Sequence, residues 1–425
     1  MTDLAHEAVA AAVRTAYGRL IAYLSARTRD IAAAEDALSA ALEAALETWP
    51  ARGVPNRPEA WLLTAARNRL KDGHRRARIR VEAVPTLLTL MDEAQAVADE
   101  GPSFPDVAFP DERLKMMFVC THPAIAAEVR TPLMLQTVLG LTSERIASVF
   151  LVKPAAMAQR LTRAKTKIRD AGIGFDVPEA AEWPVRLGPL CDAIYATYGL
   201  GWGDYAGEDE GGALSGEAIT LGFALYELLG QMKRPAVAPE LNGLLALMLY
   251  CEARRAARYD AAGRYVALSD QDPRQWDRTM IERGDALLAM AQRLRQFGRY
   301  QLEAAIQSAH LRRGLTGVAA LDEIVILYEG LLRLAPSLAA RVGHAAAVAE
   351  AKGAETGLAL LDALDGERLK DYQPYWAVRA HVLQKLGRPE AHAAFDRAIG
   401  LSRHEGQRAF LLKKQTAARE RNRDG

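Results

Sequence analysis

The sequence has little cysteine: Cys120, Cys191 and Cys251, odd in number and widely spaced. That excludes a disulfide framework and suits a reducing cytoplasm. It also lacks an overall charge, with a net of +1, so any affinity for nucleic acid must come from local patches. Long apolar runs are missing. The longest, around Leu244 to Tyr250, falls far short of the roughly 20 residues that span a bilayer. The N-terminus has acidic and polar residues where a signal peptide has a basic start and an apolar core. Absent too are a glycine-rich phosphate loop, a nucleophile elbow, and clustered histidines and carboxylates at ligand spacing. The expectation is a soluble cytoplasmic protein that is not an enzyme, with no cofactor, no metal and no membrane partner.

What is present is helix. Over 425 residues, half of them hydrophobic and a quarter charged, apolar positions recur at helical spacing, and the length allows two or three domains. The most informative stretch is LTSERIASVFLVKPAAMAQRLTRAKTKIRDAG, residues 141–172. A cap at Thr142 or Ser143 opens a short helix to Phe150, Leu151-Val152-Lys153 turn, and Pro154 stands at the first position of a second helix. On that helix Met157, Leu161, Ala164 and Ile168 form one apolar stripe. The other face carries Gln159, Arg160, Arg163 and Lys167, flanked by Lys153 and the small Ala155 and Ala156. This is the specification of a helix-turn-helix, whose second helix enters the major groove with Lys and Arg on phosphates and Gln and Arg on base edges. A charged hairpin with a merely solvated face is the plainer alternative. Six basic residues (Lys153, Arg160, Arg163, Lys165, Lys167, Arg169) and no acid before Asp170 weigh against it.

A second basic segment lies far upstream. Helices are expected from His6 through about Leu24, from Ile31 to Thr48 with Trp49-Pro50 ending it, and from Glu59 onward in WLLTAARNRLKDGHRRARIR. From Arg52 to Arg80 nine Lys or Arg stand against Glu59 and Asp72. Trp61, near the start of this helix, either packs in the core or stacks on a base. Residues 81–112 carry four prolines and no steady period, and from Asp92 to Glu112 seven acids with no Lys or Arg. They read as an acidic tether or a plain spacer. Cys120 and His122 have a metal-like gap but no second pair nearby, so core packing and capping are expected of them. Leu133 to Leu139 should form a helix ended by Gly140.

Taken together, AEDALSAALEAALETWP, PEAWLLTAARNRLKDGHRR and the 142–172 motif resemble regions 2 and 4 of the extracytoplasmic-function sigma factors. FPDERLKMMFVCTHPAIAAE and RAKTKIRDAGIGFDVP resemble the subgroup with a long tetratricopeptide-like C-terminal extension. The resemblance runs over essentially the whole chain. It implies an all-α protein in four parts: region 2 at 1–80, a linker at 81–112, region 4 at 113–178 and a helical extension at 179–425. It further implies core RNA polymerase and promoter DNA as partners. Glu35, Asp36 and Glu43 would dock on the polymerase. Asn68, Lys71, Arg75 and Arg76 would hold the melted −10 strand, and Lys153, Gln159, Arg160, Arg163 and Lys167 would meet the −35 element. The chain departs from the family pattern at Ser39 and Ala40, at Gly73-His74 and at Ala158.

The extension reads as helices at 186–198, 215–232, 239–258, 274–295, 300–311 and 321–334, then two hairpins with small-residue faces. In YWAVRAHVLQKLGRPEAHAAFDRAIGL, Leu386-Gly387 form a turn, and Ala391, Phe395 and Ala398 lie on the second helix, as in a tetratricopeptide unit. Such hairpins stack into arrays that bind protein surfaces or dock within their own chain. YGLGWGDYAGEDEGG (198–212) reads as a surface loop. RYDAAGRYVALSDQDPRQWD (258–277) reads as a hairpin around Asp260 to Gly263, with an Asp272-Pro273 cap starting the next helix. A one-component helix-turn-helix regulator with a helical sensing domain is the alternative to a sigma factor; it leaves the 59–80 basic helix without a task.

Overall fold

The computed structural model describes residues 2–78, 112–150, 152–203, 210–231, 238–318, 320–402 and 404–421. Among these the fold is all-α, with one isolated antiparallel bridge, Tyr259 to Tyr265, in place of any strand. The chain forms two compact units, Met1–Ala196 and Thr197–Gly425. Among the described residues no helix is long and apolar enough to cross a membrane.

The first unit begins with α1 (Thr2–Thr28), α2 (Ile31–Arg52) and α3 (Pro58–Arg78). Their periodic apolar positions turn inward: Ala16, Leu20, Ile21 and Leu24 from α1, Ile31, Ala34 and Leu38 from α2, and Trp61, Leu62 and Ala66 from α3. Asp30 caps α2 by accepting the N–H groups of Ala32 and Ala33. Trp61 is fully buried and meets Trp49 edge-on at 5.5 Å, which makes it a core residue and removes the base-stacking alternative. Pro50 does not end α2, which runs two residues further to Arg52 before Gly53, at φ +89°, releases the chain. A proline in a last turn forfeits a single backbone hydrogen bond, and the buried Trp49 holds that turn in place. Likewise α3 continues past Gly73-His74 to Arg78; a glycine costs a helix only about 1 kcal/mol.

The unit continues with α4 (Arg113–Cys120), α5 (Ala127–Leu139), α6 (Ser143–Val149), α7 (Pro154–Asp170) and the start of α8 (Trp183–Gly203). Cys120 is buried against the Thr137 hydroxyl at 3.5 Å, and burial pushes its thiol up to about 12. His122 Nδ1 accepts the Ala124 N–H at 3.1 Å. Core packing and turn-capping therefore account for both. Trp183 leans on Phe118 with ring centres 4.9 Å apart, and the buried Arg186 donates to the Phe118 carbonyl at 2.9 Å while pairing with Glu182.

Two close approaches join the front and back of this unit. A Cβ on Gly18 would lie 1.7 Å from the Val138 carbonyl oxygen, so α1 and α5 cross backbone to backbone. Gly140 ends α5 in the left-handed conformation, φ +68°, with its α-carbon pressed on the Tyr17 ring. Both features require glycine.

In the second unit, α9 (Glu210–Gln231) precedes α10 (Pro239–Ala253), whose residues Leu241 to Tyr250 are all buried. Around it pack α11 (Arg278–Arg293) and α12 (Arg299–Thr316). The Tyr250 ring sits on Gly284, and its hydroxyl donates to Asp285 at 2.6 Å. From there α13 (Leu321–Leu334), α14 (Leu338–Ala351), α15 (Ala354–Asp362), α16 (Gln373–Lys385), α17 (Ala391–Leu401) and α18 (Glu405–Arg421) each pack on the next. The turns at Gly353 and Gly387 take positive φ, and Ala391, Phe395 and Ala398 are buried.

Three expectations are corrected here. Of the expected loop 198–212, residues 198–203 are helical, because Tyr198 stacks on Trp202 and Arg258 covers the Trp202 ring at 3.9 Å, and residues 210–212 already belong to α9; residues 204–209 lie outside the described residues. The helix expected to run to Arg258 ends at Ala253 and passes into a 3-10 turn, Arg255–Arg258. Asp272 caps only a short 3-10 turn, and Asp277 caps α11 itself. The expected hairpin is present, with Gly263 N–H on the Asp260 carbonyl and Val266 N–H on that of Arg258.

Candidate nucleic-acid interface

The helix-turn-helix is built as the residues dictate. The Thr142 hydroxyl accepts the Arg145 N–H at 3.3 Å, and Glu144 lies in the first turn of α6 where the helix dipole favours an acid. Ile146 and Ala147 are buried beneath it. Pro154 opens α7, and Met157, Leu161, Ala164 and Ile168 are the buried residues of that helix. Since these fix one face inward, Lys153, Gln159, Arg160, Arg163 and Lys167 all stand exposed on the other. The arrangement presents a cationic helix face with two base-reading side-chain types and small residues at its tip.

Lys165 does not join that face. Its side chain is 10% exposed, and its ammonium lies 2.6 Å from both carboxylate oxygens of Glu35 on α2. One turn on, Arg169 approaches Asp30 at 3.9 Å. Burial raises the Glu35 carboxyl above the usual range, opposed by Lys165 and reinforced by Asp36 and Asp30. Burial together with Glu35 likewise raises the Tyr17 hydroxyl. The sequence reading missed this pair because its members are 130 positions apart. A signal was available: position 165 lies four after Leu161 and three before Ile168, on the flank of the apolar stripe.

The three acids proposed for polymerase docking therefore differ in state. Asp36 and Glu43 are exposed and, seven residues apart, share one face of α2, whereas Glu35 is half-buried in the ion pair. On α3, Asn68 is half-buried and Lys71 exposed. The side chains of Arg75 and Arg76, and the tether at 81–111, lie outside the described residues. Among those residues no group of three or more His, Cys, Asp or Glu gathers as a metal site.

Comparison with known proteins places two family models on the chain. Sigma-70 region 2 matches residues 3–79, that is α1 to α3, and a family of unknown function (DUF6596) matches residues 186–292. The uncharacterised protein R00370 of Rhizobium meliloti is 38% identical over 398 residues, 93% of this chain and 91% of its own length. A probable RNA polymerase sigma factor, RfaY of Xanthomonas campestris pv. campestris, is 29% identical over 177 residues, 38% of this chain and 41% of its own. No solved structure matches.

Proposed function

We propose that the chain, which carries a sigma-70 region 2 domain at residues 3–79, is a sigma-70 family factor that binds core RNA polymerase and directs promoter-specific initiation. The observation that carries this is the region 2 match over α1 to α3 in the same compact unit as a helix-turn-helix with an exposed cationic face. No single-site regulator needs both. In this reading α2 docks on the polymerase through Asp36, Glu43 and, once released from Lys165, Glu35. The basic face of α3, with Asn68, Lys71, Arg75 and Arg76, holds unpaired −10 DNA, where a cationic groove and base-edge partners are what single strands require. The second helix of the helix-turn-helix is region 4, reading the −35 element through Lys153, Gln159, Arg160, Arg163 and Lys167. Residues 179–425 form a regulatory extension of tetratricopeptide-like hairpins, offering a surface to a protein partner or to the chain's own DNA-binding parts. The chemistry is binding and strand separation, with no catalytic residue, and the extracytoplasmic-function subgroup and a cytoplasmic location follow from the same reading.

Association with core polymerase lacking its own sigma subunit, followed by gel filtration, tests the docking face. The chain should co-elute with core, and a double charge reversal, Asp36→Lys with Glu43→Lys, should weaken that association at least about tenfold. Duplex binding with no association with core would move the assignment to a one-component regulator.

A further inference from the structure

The second unit holds a cavity of about 320 Å³ between α9, the start of α10 and the end of α11. That is the lower end of the range of small-molecule sites, about 300–1,000 Å³. Its wall is largely apolar, with Leu229 and Ala238 buried and Met290 partly exposed at the mouth. Glu227 and Arg293, both exposed and of opposite sign, stand at the rim and leave it without net charge. One lining group is out of keeping with such a wall. Every residue of α10 from Leu241 to Tyr250 is buried, and the polar side chains of that run are Asn242 and Tyr250. The Tyr250 hydroxyl donates to Asp285 at 2.6 Å. Asn242, 3% exposed, lines the cavity, and its Oδ1 has no hydrogen-bond partner among the described residues. A buried acceptor left unmet is costly, and an apolar side chain would pack at that position without the cost.

We propose that this cavity is a binding site for a small, uncharged, largely apolar molecule whose single hydrogen-bond donor, a hydroxyl or an N–H, meets Asn242 Oδ1. The apolar wall supplies the affinity, and the lone amide fixes the orientation of the molecule within it. A charged ligand would give up its hydration with no buried countercharge in return, because Glu227 and Arg293 stay in solvent. The unbranched thioether of Met290 adapts readily to a flat ring laid against it. Gly230 keeps the α9 side of the entrance open: a Cβ there would meet nothing within 4 Å. The site belongs to the second unit and does not depend on the polymerase and DNA faces assigned to the first.

Isothermal titration of the full-length chain with indole tests this, because indole is uncharged, apolar and carries one N–H donor. Indene, the same bicycle without a donor, and benzofuran, whose oxygen only accepts, are its controls. Indole should bind saturably, at least about tenfold more tightly than either control. Asn242→Leu should bring indole down to the affinity of indene, with thermal unfolding still cooperative. A core variant can fail to fold, so the wild-type chain supplies a second readout. With the methionine methyls labelled with carbon-13, and the Met290 resonance assigned by Met290→Leu, indole should shift that methyl saturably. Equal affinity for indole and its controls, a folded Asn242→Leu chain that keeps the preference, or saturable shifts that spare Met290 would each overturn the proposal. So would the lack of saturable binding by both indole and phenol up to their solubility, which would leave the cavity to water only. Each of these results would leave the sigma assignment standing.

Discussion

At the scale of single residues, the exposed face of α7 and the half-buried His310 give opposite kinds of test. Arg163 is exposed and points away from the apolar stripe of its helix, so its contribution should be to DNA and not to folding. Arg163→Ala should weaken duplex binding by about 1–3 kcal/mol if it touches a base edge and leave thermal stability unchanged, as fluorescence anisotropy and calorimetry would show. His310 behaves the other way. Burial, with Arg254 and Arg313 adding to it, holds its imidazole down to about 4. Because the folded value lies below the ordinary 6.5, its stabilising contribution is complete above that pH and is lost as pH falls toward 4. At about 1.4 kcal/mol per pH unit, it accounts for about 2 kcal/mol of lost stability between pH 7 and 5. His310→Gln, which does not titrate, should lose less than the wild type over that range in urea unfolding.

At the scale of elements, what was legible in the sequence was what local contrast can encode. The stripe Met157, Leu161, Ala164 and Ile168 stands against charge on the opposite face, and Pro154 and Gly140 punctuate the chain where the backbone demands them. The face of the candidate site followed directly. Glycine content misled at 198–203, where contacts of Tyr198 and Trp202 override a weak local preference. Glu35 was legible as an acid of α2 but not as the partner of Lys165, since nothing local to either position encodes a contact made by folding. The crossing of α1 and α5 is of the same non-local kind. Gly18→Ala forces a methyl into the Val138 carbonyl, and overpacking of this sort costs about 1–3 kcal/mol, more than alanine returns in helix propensity. Gly216→Ala, a helical position with open space around it, should instead stabilise by up to about 1 kcal/mol. Thermal unfolding of the two variants should therefore move in opposite directions.

At the scale of the whole molecule, the chain combines a region 2 domain and a helix-turn-helix in one unit with a second unit of successive helical hairpins. A sigma factor must reach two DNA elements at once, and that requirement separates this reading from a regulator that grips one. The most direct measurement is transcription of a fragmented genomic library by core polymerase supplemented with this chain, with sequencing of the transcripts' 5′ ends. Start sites absent with core alone should appear, each preceded by two shared sequence elements at a fixed spacing. Start sites no different from those of core alone, or sharing only a single upstream element, would contradict the account.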